Sequence, residues 1–183
     1  MNAIQSAAQA KNMAPTVKRK VSLPVPTAGR CNCTSLRKAT RRVSQLYDVV
    51  LAPSGLRSTQ LSLLFHIARA GTPTVGELAG SLALDRSALA HNLKPLERDG
   101  LVQVVVDKND KRSRLAILTE DGHAKLVESL PLWERAQECF EMLFGGKKAK
   151  ALRASLEFLA SAESAQAFRN IEISQRARLK SGA

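Results

Sequence analysis

Cysteine is scarce in this chain of 183 residues, and the three present are an odd number with no even spacing pattern. A disulfide-stapled fold is therefore not expected. Cys31-x-Cys33 with His66 or His123 lacks the second spaced pair of a structural metal site, so no metal is expected. Long apolar runs are missing too: nothing approaches the roughly 18 residues of a membrane span, and the first residues lack the apolar stretch of a signal peptide. The chain is expected in the cytoplasm, with no membrane partner. Glycine-rich phosphate loops and the H-E-x-x-H and G-x-S-x-G motifs are absent, which speaks against an enzyme and against a cofactor. Acidic residues are few, 16 against 28 Lys and Arg, for a net charge of +12. Such a chain attracts polyanions before any specific contact forms; nucleic acid is the expected partner, ahead of an anionic membrane surface.

What is present is helical periodicity around one short β pattern. At 44% hydrophobic the chain has enough apolar material for one core of ordinary size, so one domain with tails is expected. Residues 1–30 carry Pro15, Pro24 and Pro26, basic residues and no acidic ones, the composition of a flexible basic arm. From Cys33, Leu36, Ala39 or Thr40, Val43, Tyr47 and Val50 recur on one helix face, with Arg37, Lys38, Arg41 and Arg42 beside or opposite it. Ala52-Pro-Ser-Gly55 breaks this helix, and a second is expected over 58–70 on Leu61, Leu64, Phe65 and Ala68. Thr74-Val-Gly-Glu77 has the form of a capping box that opens a short helix.

Asp85 caps the next helix, where Leu89, Leu93 and Leu96 make a single buried stripe. Away from that stripe stand Arg86, Ser87, Ala90, His91, Asn92 and Lys94. Small, polar and basic side chains in that mixture suit a helix entering the major groove, though an ordinary solvated face has the same composition. The apolar segment 101–106, the polar turn 107–112 and a second strand around Leu115 and Ile117 favour the first reading. They predict a hairpin with Lys108, Lys111 and Arg112 at its tip, and a basic hairpin beside such a helix can lay an arginine into the neighbouring minor groove. Thr119 then caps a long helix to about Phe144, Gly145-Gly146 ends it, and a final helix is expected from Lys147 into the 160s. Residues 166–183 read as a basic tail.

This order of elements resembles the MarR family of dimeric winged-helix regulators. The motifs that carry the resemblance are Gly55-Leu56 with Gln60, Thr74-Val-Gly-Glu-Leu-Ala79, Leu96-Glu-Arg-Asp-Gly-Leu-Val102, Asp107-Lys-Asn-Asp-Lys-Arg112 and Leu118-Thr-Glu-Asp-Gly122. They imply a mainly α winged helix-turn-helix domain over 31–165, with a β-hairpin wing and N- and C-terminal dimerisation helices. By position, Arg112 would be the minor-groove residue of the wing, Arg86, Ser87, His91 and Lys94 would face the major groove, and Asp107 and Asp110 would brace the wing. Val104 and Lys111 stand where the family often has arginine, and Pro95 lies inside the recognition helix. The resemblance further implies a homodimer on palindromic double-stranded DNA with half-sites about 10 bp apart, acting as a repressor. Release would come from a small aromatic or phenolic ligand, for which Arg37, Arg41 and His66 are contacts to weigh, or from cysteine oxidation. In the hydroperoxide-sensing branch of the family a cysteine at the start of the first helix can bond to one late in the long helix of the other subunit. Cys33 and Cys139 stand roughly there, with Cys31 as a second choice; simple packing is the competing reading of all three. A nonspecific architectural DNA-binding protein and a winged-helix protein-interaction module are the alternatives from other classes.

Overall fold

The structure, a computed structural model, describes residues 29–181, so the arm at 1–30 lies outside it but for Gly29 and Arg30. Two compact units divide the chain, residues 1–37 and residues 38–183. The first helix, α1 (Asn32–Leu51), begins in the first unit, where the backbone carbonyl of Cys31 accepts from Ser35 N–H at 3.0 Å. The second unit holds α2 (Ser58–Ala70), α3 (Val75–Ser81), α4 (Arg86–Arg98), the strands β1 (Val102–Val106) and β2 (Arg114–Leu118), then α5 (Glu120–Phe144), α6 (Gly146–Ala160) and α7 (Ala162–Ser181).

Helices α2, α3 and α4 start where a side chain occupies orphan amides. Ser58 N–H donates to Asp48 Oδ1 at 2.7 Å and Arg57 N–H to Gln60 Oε1 at 2.9 Å, which opens α2. Thr74 and Glu77 form a reciprocal capping box at α3, and Asp85 Oδ1 accepts from Ala88 N–H at 2.7 Å at α4. The turn between α3 and α4 is tight: Ala83 sits at φ 51° while Leu84 N–H reaches back to Ala79 O at 2.9 Å. The left-handed region costs an L-residue about 1–2 kcal/mol, and buried Leu78 of α3 and Leu89 of α4 anchor the two helices that the turn joins.

The two strands pair antiparallel from Val102 opposite Leu118 to Val106 opposite Arg114. Ala116 N–H also donates to Pro73 O at 2.9 Å, which ties the hairpin base to the start of α3. Thr119 does the same for α5: its Oγ1 donates to Gly100 O at 2.7 Å and accepts from Gly122 N–H at 2.9 Å. One core results, with Leu61, Leu64 and Ile67 of α2, Leu78 of α3, the Leu89, Leu93 and Leu96 stripe of α4, Val102 of β1 and Ala116 of β2. The mainly α winged helix-turn-helix fold expected from the sequence is the fold observed.

Some expectations change. The helix after Gly145 is two helices, because Ser161 ends α6 and its Oγ accepts from Ser164 N–H at 3.1 Å to cap α7. Helix α7 then runs to Ser181, through the segment read as a basic tail. Helix α4 continues past Pro95, which lies in its last turns and forfeits one backbone bond there, and α5 continues past Pro131. No helix among the described residues is long and apolar enough to cross a membrane.

Candidate nucleic-acid interface

Helix α4 separates its two sides sharply. Leu89, Leu93 and Leu96 are buried, whereas Ser87, Ala90, His91 and Lys94 are exposed. Arg98, missed in the sequence reading, continues that outward row one turn beyond Lys94 and is also exposed; its spacing from His91 is seven residues, the signal that would have found it. Ser87 Oγ donates to Asp85 Oδ1 at 2.6 Å, and this bond, with the Ala88 amide, holds the Asp85 carboxyl below its ordinary pKa. The start of the helix is thereby fixed with Ser87 in place.

The wing tip is built by its two aspartates. Asp107 Oδ1 accepts from Asn109 N–H at 2.8 Å and Asp110 Oδ1 from Arg112 N–H at 3.0 Å, while Ser113 and Asp107 close the loop through backbone bonds of 2.8 and 3.0 Å. Such side-chain turns order a short polar loop without a core of its own. Lys108, Lys111 and Arg112 are all exposed on it.

Two predicted residues stand apart from the outward row. Asn92 flanks it on one side and lines a 330 Å³ pocket with Ser44, Ser62 and Leu84. Arg86 flanks it on the other side and lines a 340 Å³ cleft with Gly76, Arg112 and Arg114. Arg86 is seven residues before Leu93, so the two project within about 20° of each other, and Arg86 leans toward α3 rather than outward with Ser87. Arg114 was not singled out from the sequence because it falls inside the strand pattern.

A third concavity, of 240 Å³, lies between α1, α2 and α5, lined by Tyr47, Ser62, Phe65, His66 and Trp133. Phe65 and Trp133 meet edge to face at 5.6 Å, and His66 Nδ1 lies 2.8 Å from Ser62 O. Burial raises the Tyr47 phenol above its ordinary pKa.

None of the three cysteines is buried within its own chain. Cys33 and Cys139, read as lying on an apolar and a buried or interfacial face, are both exposed in the chain, as is Cys31. The periodicity that aligns Cys139 with buried Ala136 also aligns it with Leu143, which is 77% exposed. Cys31 is the residue immediately before α1, and hydrogen bonds from the Thr34 side chain and backbone lower its thiol pKa. No group of three or more His, Cys, Asp or Glu among the described residues is arranged to hold a metal ion.

The MarR family model matches residues 56–113, from just before α2 to the tip of the wing. Among curated proteins, the chain is 39% identical over 71 residues to the transcriptional activatory protein BadR of Rhodopseudomonas palustris, covering 37% of this chain and 41% of BadR. It is 34% identical over 84 residues to the multiple antibiotic resistance protein MarR of Salmonella typhimurium, covering 46% and 58%. The matches thus span only about half the length of these two relatives. Among solved structures, the transcriptional regulator MosR of M. tuberculosis in complex with DNA superposes with a TM-score of 0.67 at 35% identity, covering 76% of this chain and 98% of that one. With the capped tri-helical core, the aspartate-braced wing and these likenesses together, the chain belongs to the MarR family.

Proposed function

We propose that the chain is a sequence-specific, DNA-binding transcriptional repressor that acts in the cytoplasm as a homodimer on a palindromic operator, without catalysis. The observation that carries this reading is the exposed row of Ser87, Ala90, His91 and Lys94 beside a wing that presents Lys108, Lys111 and Arg112. A helix with small and hydrogen-bonding side chains outward can approach base edges in the major groove, and a braced basic loop can follow the adjacent minor groove. The DNA-bound MosR likeness supports it. Homodimerisation is supported by the large apolar side chains that α5 and α7 leave exposed: Met142 is 86%, Phe168 74% and Leu179 76% exposed.

Release by a small aromatic ligand is supported by the Tyr47, Phe65, His66 and Trp133 concavity, which offers ring faces and a polar end in a space of 240 Å³. Release by thiol oxidation is supported by Cys31, whose exposure and lowered pKa favour the reactive thiolate.

The test is selection of bound duplexes from a random pool, followed by competition with unrelated DNA at rising salt. A regulator retains its selected duplex where unrelated DNA dissociates, and R112A weakens that binding. An architectural protein loses both together, and a protein-interaction module selects nothing.

A further inference from the structure

We infer that Arg86 and Arg114 clamp one backbone phosphodiester of the duplex, in the cleft between the recognition helix and the wing. The inference rests on the DNA-binding function proposed above and takes Arg86 out of base reading.

Three guanidinium side chains, those of Arg86, Arg112 and Arg114, line this one 340 Å³ cleft, and Asp110 is its single acidic residue. The Asp110 carboxylate is already engaged, accepting from the Arg112 backbone N–H at 3.0 Å. Among the described residues, none of the three arginine side chains has an ion-pair or hydrogen-bond partner. Like charges gathered in one concavity repel each other, and an anion entering it relieves that repulsion.

Gly76 makes the arrangement tight. A Cβ at residue 76 would lie 3.3 Å from Arg86 Nη2, so the guanidinium rests almost on the backbone of α3. That seat lies on the flank of α4, about 100° around the helix from Ser87, and an Arg86 held there leans toward α3 rather than toward base edges. The amides at the start of α3 are partly spent on the Thr74 and Glu77 capping box, so the binding power of the cleft comes from the arginines.

DNA geometry identifies the anion. The major groove and the adjacent minor groove are divided by one strand of sugar and phosphate, so a cleft between elements that enter the two grooves must face that strand. Guanidinium forks match a phosphate's paired oxygens, which makes arginine the apt residue for it. Arg112, at the exposed wing tip, continues past this strand, leaving Arg86 and Arg114 on either side of the phosphate.

The experiment neutralises phosphates one at a time with methylphosphonate substitutions in a duplex selected by the full chain, and measures affinity for wild type, R86A, R114A and the double variant. All of these positions are exposed, and far-UV circular dichroism checks that each variant folds. One position per half-site is expected where neutralisation weakens wild-type binding about tenfold, yet costs the R86A/R114A variant nothing further. R112A keeps its sensitivity at that position. On duplexes with single base changes, R86A is expected to weaken binding uniformly and preserve the ranking of sequences. R86K/R114K, with charge but no fork, is expected to fall between wild type and the double alanine variant. A wild-type chain that selects a duplex but shows no coupled phosphate, or an R86A chain that reorders base preference, overturns the clamp alone. A wild-type chain that selects no duplex overturns the clamp and the proposed function together.

Discussion

Replacing Gly122 with alanine should cost most of a marginal domain's reserve, although alanine is the better helix former. Gly122 is the third residue of α5, buried against the wing base, and a Cβ there would lie 2.0 Å from Leu101 O and 2.9 Å from Leu118 Cδ1. Real Cβ atoms essentially never come within 3.0 Å of such an atom, so α5 and residue 101 must part by roughly 1 Å. Neither side yields freely. Leu101 N–H is bonded to Leu96 O at 2.9 Å and Leu101 O accepts from Thr119 N–H at 3.2 Å, so the shift strains the end of α4 or opens the α5 cap. Overpacking of this kind costs about 1–3 kcal/mol, and a backbone obstacle puts it at the upper end. A lost hydrogen bond adds about 1 kcal/mol, and helix propensity returns at most about 1 kcal/mol. The net loss is about 3 kcal/mol of a usual 5–15 kcal/mol. Urea denaturation at fixed protomer concentration measures it. Gly80 is the control, since a Cβ there meets nothing within 4 Å and G80A should be neutral or stabilising by up to about 1 kcal/mol. A G122A chain as stable as wild type, or one that shifts with G80A in the same direction, would refute the reasoning.

Other consequences follow from the turns and titrating groups. Ala83→Gly removes an L-residue from φ 51°; relief of about 1–2 kcal/mol against an entropy cost of about 0.4–1 kcal/mol predicts a small rise in Tm by calorimetry. The Thr74 amide and hydroxyl lower the Glu77 pKa, and the Ser87 hydroxyl with the Ala88 amide lowers that of Asp85. Because both folded values lie below the unfolded ones, their stabilisation is complete above the ordinary carboxylate range and is lost as pH falls through the folded values. Acid titration of Tm should therefore be shallower for Glu77→Gln and Asp85→Asn than for wild type. At Cys31, hydrogen bonds from Thr34 lower the thiol pKa, so its alkylation by iodoacetamide should persist to lower pH than that of a free thiol, and Thr34→Ala should move that limit upward.

Much of the fold was readable because local signals and burial agree. Thr74 and Glu77, Asp85 and the Leu89, Leu93 and Leu96 stripe each act within one helix, where spacing alone fixes the neighbours. The break at Ser161 also had a signal, a hydroxyl three residues before Ser164 with Glu163 in the first turn, but the apolar pattern ran across it and hid it. The seat of Arg86 against α3 has no local signal: which flank of a helix meets its neighbour depends on Gly76 of α3, not on α4 itself. Cys139 shows a further limit. Period 3.6 identifies an apolar face but not whether its own chain covers it, and the face at Cys139 and Leu143 is uncovered. The Tyr47, Phe65 and Trp133 concavity joins three distant helices, so no short spacing announces it.

The most direct test of a dimeric, sequence-specific winged-helix regulator is a hydroxyl-radical footprint of the full chain on a duplex it has itself selected. Two protected half-sites with centres about 10 bp apart and related by a dyad are predicted. Uniform protection along the duplex, or a single half-site without symmetry, would contradict it.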